Sequence, residues 1–121
     1  MITVKATREG LPGQRTSTGY LVDAIVPFVA LPSAAALRQW VTVMNPLRPD
    51  LPAVRALVLD VGPWNVNDHA YVFGGQRPAA ERGIDVSGNG KTNGAGIDLG
   101  EVVWSALGML DNGNVAWEFA L

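Results

Sequence analysis

Leu57-Val58-Leu59-Asp60-Val61-Gly62-Pro63-Trp64 and Asn93-Gly94-Ala95-Gly96-Ile97-Asp98-Leu99 are the two stretches that decide the reading of this chain. Each places a carboxylate where an apolar run meets a glycine-containing turn. The first follows a β-branched and leucine-rich run that Gly62-Pro63 must end, because proline has no N–H to give to a strand ladder. The second opens a run in which Leu99, Val103, Ala106 and Leu107 share one helical face, with Gly108 as a natural stop. That spacing predicts a short helix over residues 100–107, with Asp98 at its start.

Outward from these blocks, strand character recurs over residues 2–7, 20–28, 40–45, 54–61 and 115–119, each rich in β-branched or aromatic residues and ended by Gly, Pro or Asn. In the last, Val115, Trp117 and Phe119 fall on one face and Glu118 on the other, so it reads as half-buried. Asp111-Asn112-Gly113-Asn114 before it is a tight-turn signal. Residues 33–38 suggest one or two helical turns with Ser33 as cap. Residues 74–96 hold seven glycines and little apolar periodicity, and are expected to form a long surface excursion. Of the tryptophans, Trp40, Trp104 and Trp117 are placed in the core.

The chain has 121 residues, 48% hydrophobic and 17% charged, which is material for one well-packed core and one domain over residues 1–121. Its formal net charge of -2 gives no basic field for a phosphate backbone, so nucleic acid is not the expected partner. It has no cysteine and one histidine, His69, so thiolate zinc sites, thiol nucleophiles and multi-histidine metal centres are excluded, and no metal or cofactor is expected. The first residues alternate like a strand and not like an export leader, and the apolar stretches are too short to span a membrane. Extracytoplasmic action would then need another route of export.

The order Asp60-Val61-Gly62-Pro63, then a loop, then Ile97-Asp98-Leu99 leading to Ala106-Leu107-Gly108-Met109 resembles the double-psi β-barrel superfamily. That group includes rare lipoprotein A-like proteins, expansins, family-45 endoglucanases and the three-aspartate domain of lytic transglycosylases. The resemblance extends to Thr16-Ser17-Thr18-Gly19-Tyr20, to Val29-Ala30-Leu31-Pro32 ahead of Val41-Thr42-Val43-Met44-Asn45, and to Val115-Ala116-Trp117-Glu118-Phe119. It implies a small, mainly β, six-stranded double-psi barrel with one or two short helices. It also implies a polysaccharide partner, peptidoglycan or a β-glucan, and places Asp98 as general acid with Asp60 lining the same groove. Relatives that hydrolyse carry a further carboxylate near the first motif. Here that region offers Thr16, Ser17, Thr18 and Tyr20, with Asp23 as the nearest acid. The histidine that rare lipoprotein A-like proteins show ahead of Leu-Pro is replaced by Phe28-Val29-Ala30.

Cleaving an acetal requires a proton donor whose pKa is raised by burial or by a neighbouring carboxylate. An aspartate at a helix start is also the ordinary capping residue, so Asp98 carries two readings at this point. Thr16, Thr18, Tyr20, Trp64 and Tyr71 are the candidate substrate contacts, the aromatic ones because flat faces stack on sugar rings. The reading is a domain that cleaves or loosens glycan strands, a lytic transglycosylase or glycoside hydrolase if it is an enzyme. The alternative is a non-catalytic carbohydrate-binding or structural assembly module on the same barrel. Three weaker signals are set aside: Asp85 to Gly90 imitates a calcium loop without its closing glutamate, Gly90-Lys91-Thr92 imitates a phosphate loop without its first glycine, and His69 beside Asp68 lacks a serine motif.

Overall fold

The computed structural model describes residues 1–10, 12–23, 25–86 and 91–121. The chain is a small, mainly β protein: six strands close into a mixed barrel, with two short helices outside the ladder. The strands are β1 (Ile2–Arg8), β2 (Phe28–Leu31), β3 (Trp40–Met44), β4 (Val54–Val61), β5 (Ile97–Leu99) and β6 (Gly113–Phe119). The helices are α1 (His69–Val72) and α2 (Glu101–Ala106). Round the barrel the order is β1-β5-β2-β4-β3-β6, with parallel pairs β1/β5 and β2/β4 and antiparallel pairs elsewhere.

Alternation along the strands builds the interior. Val4 and Ala6 of β1, Val41 and Val43 of β3, Ala56 and Val58 of β4, and Val115 and Trp117 of β6 all point into one core, with Val29, Leu31, Ile97 and Leu99 from the two short strands. Tyr71 lies in the same core, its hydroxyl donating to the Gly96 carbonyl (2.9 Å) and accepting from Trp117 Nε1 (2.8 Å). A second, smaller cluster of Val22, Phe28 and Leu59 lies on the other side of the β2/β4 pair, with Tyr20, Val26 and Leu57 packed against it. It fastens the connection between β1 and β2 to the barrel wall.

Several expectations need correction. Only Phe28 of the expected strand 20–28 is in a strand. The residues before it spend their apolar side chains on the second cluster, and Ala24 is outside the described residues. Ile97-Asp98-Leu99 does not open the helix but forms β5, wedged between β1 and β2; the N-cap of α2 is Gly100. Asp98 is therefore not a helix cap. Ser33 caps nothing with its side chain either: Ala34–Ala36 is a short 3-10 turn, and Ser33 Oγ lies 2.6 Å from His69 Nδ1. Trp40 is 41% exposed under the Arg55 guanidinium, whereas Trp104 and Trp117 are buried. The segment 74–96 is less open than its glycines suggest, since it contains a 3-10 turn (Ala79–Arg82) and buries Ala80 and Ala95. Residues 87–90, which carry most of the calcium-like and the start of the phosphate-like stretch, lie outside the described residues.

Candidate functional site

The register of four adjacent strands sets one row of residues side by side: Thr7 on β1, Asp98 on β5, Ala30 on β2 and Asp60 on β4. Residues paired across strands share a face, so the two aspartates flank the small Ala30 two strand spacings apart, on the order of 10 Å between Cα atoms. The alignment depends on a register shift between Val29 and Ala30 that brings Asp60 opposite Ala30. A bulge of this kind is a common way to re-aim a side chain next to a site. Asp98 stands between Ile97 and Leu99, both of which enter the core, so its carboxyl is on the outer face of the wall.

The turn after β4 completes this face. Gly62 has φ +150, and a Cβ added there would sit 3.8 Å from Asp98 Oδ2, so the backbone of the first motif faces the carboxylate of the second. The Gly62-Pro63 peptide is cis. Trp64 Nε1 donates to Asn93 Oδ1 (2.7 Å), and the same oxygen accepts from the Ala95 N–H (3.0 Å), so Trp64 ties the turn to the segment entering β5.

The two aspartates differ in environment. Asp60 Oδ1 accepts the Ser17 N–H (3.0 Å), the Ser17 hydroxyl and its own neighbour's Val61 N–H (2.8 Å). Burial pushes its pKa up, but a hydrogen bond from Glu9 and those from Ser17 and Val61 outweigh it and hold it below the ordinary value. Asp98 has one described donor, the Thr7 hydroxyl on Oδ1. Burial dominates there, with the negative charge of Asp60 adding to it, and the Asp98 pKa is pushed up to about 6 despite Thr7.

A third carboxyl, Glu9, follows directly after β1, its backbone N–H bonded to the Leu99 carbonyl (2.9 Å). Burial, then a hydrogen bond to Asp60, then the charges of Asp98 and Asp60 push its pKa up to about 9. Sequence reasoning sought this third acid near residues 16–23 and missed it. The available signal was the same one that marked Asp60: a carboxylate at a strand end followed by glycine, in Arg8-Glu9-Gly10. Beside Glu9 opens a cavity of about 480 Å³ whose wall includes Arg8, Gln14, Val22, Asp23 and Glu101.

The remaining expected contacts have other employment. Thr16 is buried, its hydroxyl 2.9 Å from that of Thr18, which donates to the Leu59 carbonyl (2.8 Å). Together they press the loop onto β4, so that Ser17, between them, reaches Asp60. The Tyr20 hydroxyl donates to Asp23 and its ring meets Phe28 edge-on at 5.7 Å. Tyr71 is 1% exposed and offers no stacking face. Trp64 keeps a half-buried ring beside the turn. Among the described residues no group of three or more His, Cys, Asp or Glu side chains is arranged to hold a metal ion, and no helix is long and apolar enough to cross a membrane.

The sequence matches, over residues 1–81, the family described as "Domain of unknown function (DUF8814)". No curated protein matches it by sequence. Among solved structures it is similar to "Streptomyces papain inhibitor (SPI)", with a TM-score of 0.55 at 17% identity, over 99% of this chain and 94% of that one. At that identity the likeness speaks for the fold alone.

Proposed function

The chain belongs to the DUF8814 family, which brings no activity with it, and we propose from the site that it is a polysaccharide-active domain of the double-psi β-barrel type, acting on peptidoglycan or a β-glucan. The observation that carries the reading is the asymmetric pair in one cross-strand row: Asp98, buried and protonated at mildly acidic pH, and Asp60, held ionised by Ser17 and Val61. A proton donor beside a fixed anion is what acetal cleavage asks for, one group to protonate the glycosidic oxygen and one to face the positive charge that develops on the sugar. The mixed six-stranded barrel with its parallel pairs β1/β5 and β2/β4 supports the superfamily resemblance. Trp64, beside the turn that faces Asp98, is the aromatic residue best placed to stack on a sugar ring.

The test is mass spectrometry of soluble products after incubation with purified peptidoglycan, chitin oligomers and β-1,4-glucan, for the protein and its Asp98→Asn variant. Anhydro-muropeptides or reducing-end sugars formed by the protein and lost in the variant support the assignment. Equal product from both removes Asp98 from the chemistry. A second reading, a binding module without catalysis, is favoured by the way Asp60 Oδ1 is already saturated by protein donors. It predicts co-sedimentation with one of these polymers and no product.

A further inference from the structure

Glu9 Oε2 is buried and receives no hydrogen bond from any donor among the described side chains and backbone groups, and the carboxyl lies against two other acids. A carboxylate is an acceptor only, and leaving it charged, walled in and without a donor costs more than a neutral group would. Asp60 has the opposite situation. Its Oδ1 is surrounded by the Ser17 and Val61 donors, which leaves Oδ2 as an acceptor without a described donor. One proton resolves both problems if it sits on Glu9 and points at Asp60.

We propose that Glu9 is a positioning residue that remains a neutral carboxylic acid across neutral pH and donates its proton to Asp60, keeping Asp60 ionised and oriented. The groups facing this pair are consistent with it. From β5 comes Asp98, a second acid that opposes a charge on Glu9. Arg8 belongs to the same strand end but is paired with Glu101 of α2. Asp23, on the cavity wall, accepts from Tyr20 and from the Ile25 N–H. No cation among these is free to stabilise an ionised Glu9. The cleft then has a division of labour: Glu9 holds Asp60 as a fixed anion, and Asp98 is left as the group whose protonation changes near neutrality. This inference concerns the protein's own protons and stands whether or not the ligand is a glycan.

The experiment is a carboxyl-detected ¹³C NMR titration of the uniformly labelled full chain, alone and as Glu9→Gln and Glu9→Leu. In the unmodified protein the Glu9 side-chain carbonyl keeps the shift of a protonated acid through neutrality and moves only on the alkaline side, while Asp60 keeps the shift of a carboxylate down to acid pH. Glu9→Gln, whose amide N–H donates in place of the acid, leaves the Asp60 titration and the Ser17 and Val61 amide shifts in place. Glu9→Leu, with no donor, moves the Asp60 midpoint upward. A Glu9 that titrates in the ordinary carboxylate range, in the unmodified protein alone, overturns the proposal, so it does not depend on either variant folding. An Asp60 midpoint indifferent to Leu at position 9 overturns the positioning role.

Discussion

Asp60 and Asp98 are chemically identical and flank the same alanine, yet their pKa values move in opposite directions because one collects donors and the other is mainly desolvated. That difference has a kinetic signature. If Asp98 delivers a proton, the rate tracks its protonated fraction, so it is on a plateau below about pH 6 and falls about tenfold per pH unit above it. The pH profile of glycan cleavage reads this directly, and a rate that rises between pH 6 and 8 is incompatible with Asp98 as the acid. On the same premise, removing the donor in Asp98→Asn is expected to lower the rate by about 100- to 10,000-fold on the acid side. Ala30 is the third member of the row and is fully buried between the two acids. Ala30→Val adds two methyl groups at a fully buried position, which is expected to cost about 1–3 kcal/mol of stability by denaturant unfolding.

At the scale of elements, the junction of β2, β5 and α2 is where the sequence reading was least complete. Gly100 joins β5 to α2 and donates its N–H to the Phe28 carbonyl (2.9 Å); a Cβ there would stand 2.5 Å and 2.6 Å from the Phe28 ring. Since Phe28 is walled in by the second cluster, Gly100→Ala is expected to cost about 1–3 kcal/mol in chemical denaturation, although alanine is the better helix former. The pattern at residues 97–107 reads as one helix because Leu99 falls in phase with Val103 and Leu107, while three residues are too few to display a strand's alternation. Only the partners on β1 and β2 make Ile97–Leu99 a strand, and those lie about ninety and seventy positions away in the chain. The long strands were legible because each alternates over five or more residues. Tyr71 was misjudged for a related reason: an aromatic in a connecting segment looks available, but α1 turns it into the barrel. Tyr71→Phe should cost about 1–3 kcal/mol, because the buried Trp117 N–H loses its acceptor, and under the proposed function it leaves co-sedimentation with polysaccharide unchanged.

For the molecule as a whole, two of its acids are held in protonation states that oppose the usual rise of stability with pH. Asp98 moves from 3.8 to about 6 on folding and Glu9 from 4.5 to about 9. Between each pair of values the native state binds more protons than the unfolded state, so stability falls as pH rises through that window. Asp60 has the opposite sign. Its pKa is lowered on folding, so its contribution is present above the ordinary carboxylate value and is lost as pH falls through the folded one. Together these place the stability maximum at about pH 4–5 and give a decline towards alkaline pH, to which Glu9, with the larger shift, contributes more than Asp98. Thermal unfolding followed by circular dichroism from pH 3 to 9 checks this. Asp98→Asn should flatten the curve between about pH 4 and 6, and Glu9→Gln the longer slope above about pH 4.5, each raising Tm at pH 8 above that of the unmodified protein. A Tm that climbs from pH 5 to 8 would mean that both acids ionise freely in the fold. The stabilising effect expected of these two neutral amides also separates site from scaffold. A residue retained for packing loses stability when replaced, whereas a gain of stability in these two variants at pH 8 would mark groups held at an energetic cost.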